Sequence, residues 1–130
     1  MFELEISANS GSYKVTDSTD YLKEISFETA IILADSKVSI PEYLQSIQSR
    51  ILVNGDESLK TIESAINIIN KLVLLGANRE TTLIALGGGS VQDIATFIAS
   101  IYMRGIKWFY LPTTLMAMAD SCIGGKSSIN

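Results

Sequence analysis

Four apolar residues, Leu83-Ile84-Ala85-Leu86, run without a polar break into Gly87-Gly88-Gly89-Ser90. A short continuous apolar run closed by turn residues reads as a strand buried on both faces. A second run, Ala30 to Ala34, has the same character and ends at Asp35. Strands hidden on both sides belong to parallel sheets, which need helical crossovers to cover them. The chain is thereby constrained to an α/β architecture.

The rest of the chain supplies the covering elements. From Lys60, residues Ile62, Ala65, Ile66, Ile69, Leu72 and Val73 recur at helical spacing, and Gly76 with Asn78 marks the stop. A further helix is expected from about Val91, with Ile94, Ala95, Ile98 and Tyr102 on one face and Arg104-Gly105 ending it. Ser39 and Glu42 are spaced as a capping box around Pro41, which predicts a short helix there. Ile51 to Val53 and Trp108 to Leu111 read as two more strands. Ahead of these, Phe2, Leu4 and Ile6 alternate with Glu3 and Glu5, and Tyr13 and Val15 alternate after Ser10-Gly11, the pattern of a β-hairpin. The expected fold is a Rossmann-like parallel sheet with helices on both faces, preceded by a hairpin.

Composition narrows the function. The formal charge is −4 and the cations form no basic run, which argues against a nucleic-acid surface. No apolar stretch approaches the ~20 residues of a membrane helix, and the N-terminus is unlike a signal peptide. A soluble, cytoplasmic protein is expected. The chain has no histidine and one cysteine, Cys122, so Ser-His or Cys-His catalysis is outside its means. A zinc or iron site normally draws on the same residue types. Cys122 reads as a small buried filler, and Met103, Met116 and Met118 as core or interface packing.

The glycine turn carries the chemistry. Without Cβ atoms, the amides of Gly88, Gly89 and Ser90 can face a pyrophosphate, aided by the positive end of the next helix. The same glycines could serve only tight strand–helix packing, since the run is neither GxGxxG nor a P-loop. Asp93, in the helix's first turn, suits the helix dipole or a ribose hydroxyl. Asp35, at a strand end, is placed like the acid that holds an adenosine ribose, or like ordinary turn chemistry.

Four segments read together are more specific. GGGSVQD (Gly87 to Asp93), YMRGI (Tyr102 to Ile106), PTTL (Pro112 to Leu115) and ADSCIGGKSSIN (Ala119 to Asn130) match a known pattern without a gap in spacing. With Glu57-Ser58-Leu59-Lys60 and Ala34-Asp35 upstream, the chain resembles 3-dehydroquinate synthase, of the sugar phosphate cyclases. The resemblance covers about Ala30 to Asn130. Two positions depart from the pattern: the turn reads Asn54-Gly55-Asp56-Glu57, with glycine one step early, and Gln92 stands where glycine often precedes the helix aspartate.

The resemblance implies an NAD- and metal-dependent lyase that acts on a seven-carbon sugar acid phosphate and regenerates NAD within each turnover. Asp35, Glu57 and Lys60 would hold the adenosine side of NAD. Gly88, Gly89, Ser90 and Asp93 would line its pyrophosphate and nicotinamide ribose, and Thr113 and Thr114 would donate hydroxyls. Asp120 would bond substrate hydroxyls. Lys126 would stand beside both substrate phosphate and cofactor, and Arg104 would reach a phosphate across a homodimer interface. Plainer readings stand beside these: Arg104 as a cation at a helix C-terminus, Thr113-Thr114 as loop polarity, Lys126 as a solvated charge.

The family's metal ligands, one Glu and two His holding zinc or cobalt, lie downstream of the position that matches Asn130. The expectation is therefore one N-terminal NAD-binding domain, residues 1–130, without the C-terminal metal-binding domain and inactive alone. Asp120 to Asn130 carries no terminating element, so the chain is expected to continue. Related cyclases take sedoheptulose 7-phosphate or glucose 6-phosphate with the same first domain. Iron-type alcohol or glycerol dehydrogenases share the fold and a GGGS turn but diverge after PTT. A non-catalytic nucleotide-binding module is the third alternative.

Overall fold

The computed structural model describes residues 2–8, 11–121 and 129–130. Its centre is a parallel sheet of β3 (Ala30–Asp35), β4 (Arg50–Val53), β5 (Thr82–Gly87) and β6 (Lys107–Pro112), in spatial order β4-β3-β5-β6. Ahead of it, β1 (Glu3–Ala8) and β2 (Gly11–Thr16) pair antiparallel, Leu4 opposite Val15 and Ile6 opposite Tyr13, as the alternation predicts. This hairpin is a separate two-stranded sheet.

The continuous apolar runs are explained by two cores, one on each face of the sheet. Ile31 and Leu33 of β3 and Leu83 and Ala85 of β5 point to one face. Their neighbours Ile32, Ala34, Ile84 and Leu86 point to the other. The first face is covered by α1 (Ile62–Leu74) and α2 (Gly89–Ile101). The second is covered by helical turns of the 3-10 kind and their flanks, with Leu44, Ile47 and Ile25 inserted and Tyr21 stacked on Phe109. Helical elements thus lie on both faces, but the two α-helices share one.

The helix expected after Ser39 is one 3-10 turn, Glu42–Leu44, begun at Pro41 without a side-chain cap. No capping box forms; that segment is held by the burial of Leu44. Helix α1 begins at Ile62, two residues after Lys60, with Thr61 Oγ1 accepting the Ser64 amide at 3.1 Å. It stops as predicted: Gly76 has φ 77°, its amide donates to Val73, and that of Ala77 donates to Leu72 at 2.9 Å. The face it buries is Ala65, Ile68 and Leu72, whereas Ile62, Ile66 and Val73 are exposed. Helix α2 starts at Gly89, two residues before the expected Val91, and buries Val91, Ile94, Ala95 and Ile98.

Past α2 the chain turns through Met103 and Arg104, both left-handed at φ 49° and 66°, into Gly105 at φ 113°. The buried Tyr102 ties this turn down, its hydroxyl donating to the Ala77 carbonyl at 2.9 Å. Met103, Met116 and Met118 are all exposed, so none fills a core within this chain. Cys122 lies outside the described residues.

Candidate cofactor-binding site

Sheet order fixes where a ligand can sit. The chain leaves β3 for β4 on one side, then returns past β3 to β5 and continues to β6 on the other. The connections after β3 and β5 therefore diverge, opening a crevice at the carboxyl ends of those two strands. Ala34 pairs with Leu86 across that junction, which brings Asp35 and Gly87 to the same edge. Pairing of Asp35 with Val53, and of Gly87 with Pro112, brings the loops after β4 and β6 to it as well.

The glycines at this edge are required by contact. A Cβ on Gly87 would fall 2.6 Å from Cγ2 of Val91, so the residue lets α2 sit directly on the end of β5. A Cβ on Gly88 would reach the Thr114 side chain at 3.0 Å. The Gly87 carbonyl accepts from the Thr113 amide at 2.9 Å and from the Tyr110 hydroxyl at 3.2 Å. Thr113 and Thr114 are thus held against the glycine turn, and Thr114 Oγ1 also accepts the Ala117 amide at 3.1 Å. Gly88 is the N-cap of α2 and no side chain caps it.

On the other side of the crevice, Asp35 Oδ1 accepts the Lys37 amide at 3.0 Å. Its carboxylate lies against Gly55, where a Cβ would stand 2.7 Å from Asp35 Cγ. Asp56 begins the following turn, Glu57–Leu59, by accepting the Ser58 amide and hydroxyl. These bonds hold the Asp56 carboxyl below the usual range. Lys60 then crosses to α2, its Nζ 3.1 Å from Asp93 Oδ2 and 3.5 Å from Glu57 Oε2. The Asp93 carboxylate raises the Lys60 ammonium above its ordinary pKa, against the opposing effect of desolvation, with Glu57 adding to the rise. Asn130 closes the group, its amide donating to the Lys60 carbonyl at 2.8 Å.

Asp35, Glu57, Lys60, Gly88, Gly89, Ser90, Asp93, Thr113 and Thr114 therefore share one edge of the sheet. Arg104 does not. It lies past the far end of α2, whose 13 residues span about 20 Å at ~1.5 Å each. The backbone of Asp120 is in a wide helical turn, Ala117–Ser121, which follows β6 and packs against α2. Lys126 lies outside the described residues. Sequence reasoning missed Gly55 and Tyr110 as parts of the edge. A lone glycine in a polar turn and an aromatic in a strand carry no local signal of what they touch.

A family profile described as 3-dehydroquinate synthase N-terminal matches residues 50–130, most of the chain. The chain belongs to the 3-dehydroquinate synthase family. Within it, the chain is 37% identical over 133 residues to the 3-dehydroquinate synthase of Acidithiobacillus ferrooxidans (strain ATCC 53993 / BNL-5-31), covering 94% of this chain and 36% of that relative. It is 50% identical over 80 residues to that of Pyrococcus abyssi (strain GE5 / Orsay), covering 62% and 24%. It thus spans well under half the length of these relatives. Among solved structures, it is similar to 2-deoxy-scyllo-inosose synthase complexed with carbaglucose-6-phosphate, NAD+ and Co2+. That likeness has a TM-score of 0.79 and 25% identity, over 99% of this chain and 39% of that one.

The edge also fits a dinucleotide on its own geometry. It offers a helix start at Gly88 that no side chain caps, hydroxyls from Thr113 and Thr114, and the carboxylates of Asp35 at the end of β3 and of Glu57 in the turn after β4. It does not fit a metal. Among the described residues no three His, Cys, Asp or Glu side chains are gathered, and the whole chain lacks histidine. No described helix is long and apolar enough to cross a membrane.

Proposed function

We propose that the full-length protein is a 3-dehydroquinate synthase, converting 3-deoxy-arabino-heptulosonate 7-phosphate to 3-dehydroquinate and phosphate with NAD. The observation that carries this is the glycine turn at the β3/β5 crevice, in a chain of this family. Residues 1–130 form its N-terminal NAD-binding domain. The divalent metal, zinc or cobalt, is assigned to the part of the protein beyond these residues. NAD supplies transient oxidation of a ring hydroxyl and its later reduction, so the net reaction is phosphate elimination and ring closure.

The residues of this chain bind and orient. The amides of Gly88, Gly89 and Ser90 receive the pyrophosphate, and Asp35 at the end of β3 and Glu57 in the turn after β4 take the adenosine ribose. Asp93 meets the nicotinamide ribose. Lys60, read from sequence as an adenosine-side contact, is also paired with Asp93. Thr113 and Thr114 donate hydroxyls, while Asp120 is assigned to the substrate hydroxyls and Lys126 to the substrate phosphate and cofactor. Arg104 is remote from the glycine turn of its own chain, which supports its assignment to the phosphate of a partner in a homodimer. The reading places the protein in the cytoplasm, acting on a small sugar phosphate.

The test is phosphate release by the complete protein from 3-deoxy-arabino-heptulosonate 7-phosphate, with NAD and zinc or cobalt supplied. Release that needs both additions and leaves no net NADH is expected. Release from glucose 6-phosphate or sedoheptulose 7-phosphate alone would reassign the substrate, and no release from any of them would refute the reading.

A further inference from the structure

The Lys60–Asp93 pair joins two residues 33 positions apart, one read as an adenosine-side contact and the other as a ribose contact. Its geometry assigns Lys60 a different task. The Lys60 side chain is 12% exposed and that of Asp93 17%, so both charges are largely withdrawn from water. Glu57, the second carboxylate at the lysine, is 76% exposed and slightly more distant. A charged group so enclosed interacts strongly with its nearest partner.

The backbone on both sides of Lys60 is fixed. Asp56 caps the turn before it, Leu59 is buried in the core, and Thr61 caps α1 directly after. Its carbonyl accepts the Asn130 amide. The ammonium is therefore delivered to Asp93 from a rigid base. Asp93 is the fifth residue of α2, because the helix starts at Gly89, so it stands just past the first turn in which the sequence placed it, one turn from amides that would receive an anion. A carboxylate there opposes the same anion unless its charge is compensated.

We propose that Lys60 is a positioning residue: it neutralises and orients Asp93, so that a pyrophosphate can bind at the start of α2 beside that carboxylate. The inference rests on the dinucleotide reading of the site. The raised basicity of Lys60 keeps its ammonium charged throughout the neutral range.

The test is NAD affinity of the complete protein by calorimetry, with thermal unfolding of each unliganded variant as a check on folding. Lys60→Met is expected to weaken NAD binding on the order of tenfold, the effect of exposing one uncompensated buried charge. Lys60→Arg, which keeps the charge, should stay within about threefold of wild type. The deciding variant is Lys60→Met with Asp93→Asn. If Lys60 acts through Asp93, the double variant binds NAD more tightly than Lys60→Met alone, because the opposing carboxylate is gone. If Lys60 touches the pyrophosphate itself, Asp93→Asn restores nothing, and the inference is overturned while the site assignment stands. Wild-type affinity in Lys60→Met overturns it equally. A wild-type protein that does not bind NAD overturns the dinucleotide reading, and the inference with it.

Discussion

Replacing Gly87 by alanine is the sharpest test of how strand and helix meet at the site. The new Cβ would lie 2.6 Å from Val91 Cγ2, 2.8 Å from Val91 Cβ and 3.3 Å from Cγ1. Carbon atoms pack at about 3.5–4.0 Å, so the closest approaches are short by roughly 1 Å. Rotating Val91 does not relieve this, because its Cβ clashes too, and the residue is fully buried. Helix α2 must lift from β5, and overpacking of this kind costs about 1–3 kcal/mol. At an m-value of about 2 kcal/mol/M, the urea midpoint should fall by roughly 0.5–1.5 M. Val91→Ala alone forfeits two buried methyl groups, about 1.6 kcal/mol. Combined with Gly87→Ala it removes two of the three close contacts, so the pair should cost less than the sum, by about 1 kcal/mol. An unchanged midpoint for Gly87→Ala, or strict additivity in the double variant, would refute the reasoning.

Two further outcomes follow from the same edge. Gly55→Ala should push the Asp35 carboxylate from its place and strain its bond to the Lys37 amide, lowering stability by about 1 kcal/mol and weakening NAD binding; equal NAD affinity in calorimetry would show that Asp35 takes no part. The Lys60 ammonium is more basic folded than unfolded, so its contribution to stability is complete below about pH 10.4 and is lost as pH rises through the folded value. The stability gap between wild type and Lys60→Met, read by urea unfolding, should hold constant from about pH 7 to 10 and close only above that; a gap that closes near neutrality would contradict the pairing.

Much of this protein was legible in local sequence. Ala30 to Ala34 and Leu83 to Leu86 announce doubly buried strands because neither face of them meets water. The alternation around Ile6 and Tyr13 specifies the hairpin register, and Gly76 stops α1 because it takes a left-handed conformation that side chains disfavour. The glycine turn was visible for a similar reason: a strand that runs directly into a helix needs glycine where the two meet, and Gly87 leaves the space that Val91 fills. Tertiary structure decided the rest. Two apolar stripes overlap on α1, and only contact with the sheet selected Ala65, Ile68 and Leu72 over Ile62, Ile66 and Val73. Strand order β4-β3-β5-β6 set Gly55 against Asp35, Lys60 against Asp93, and Tyr110 under Gly87, while it left Arg104 at the opposite end of α2. Periodicity reports only which face of an element avoids water. Which element lies beside which is settled by packing between residues tens of positions apart, and no local window of sequence contains that.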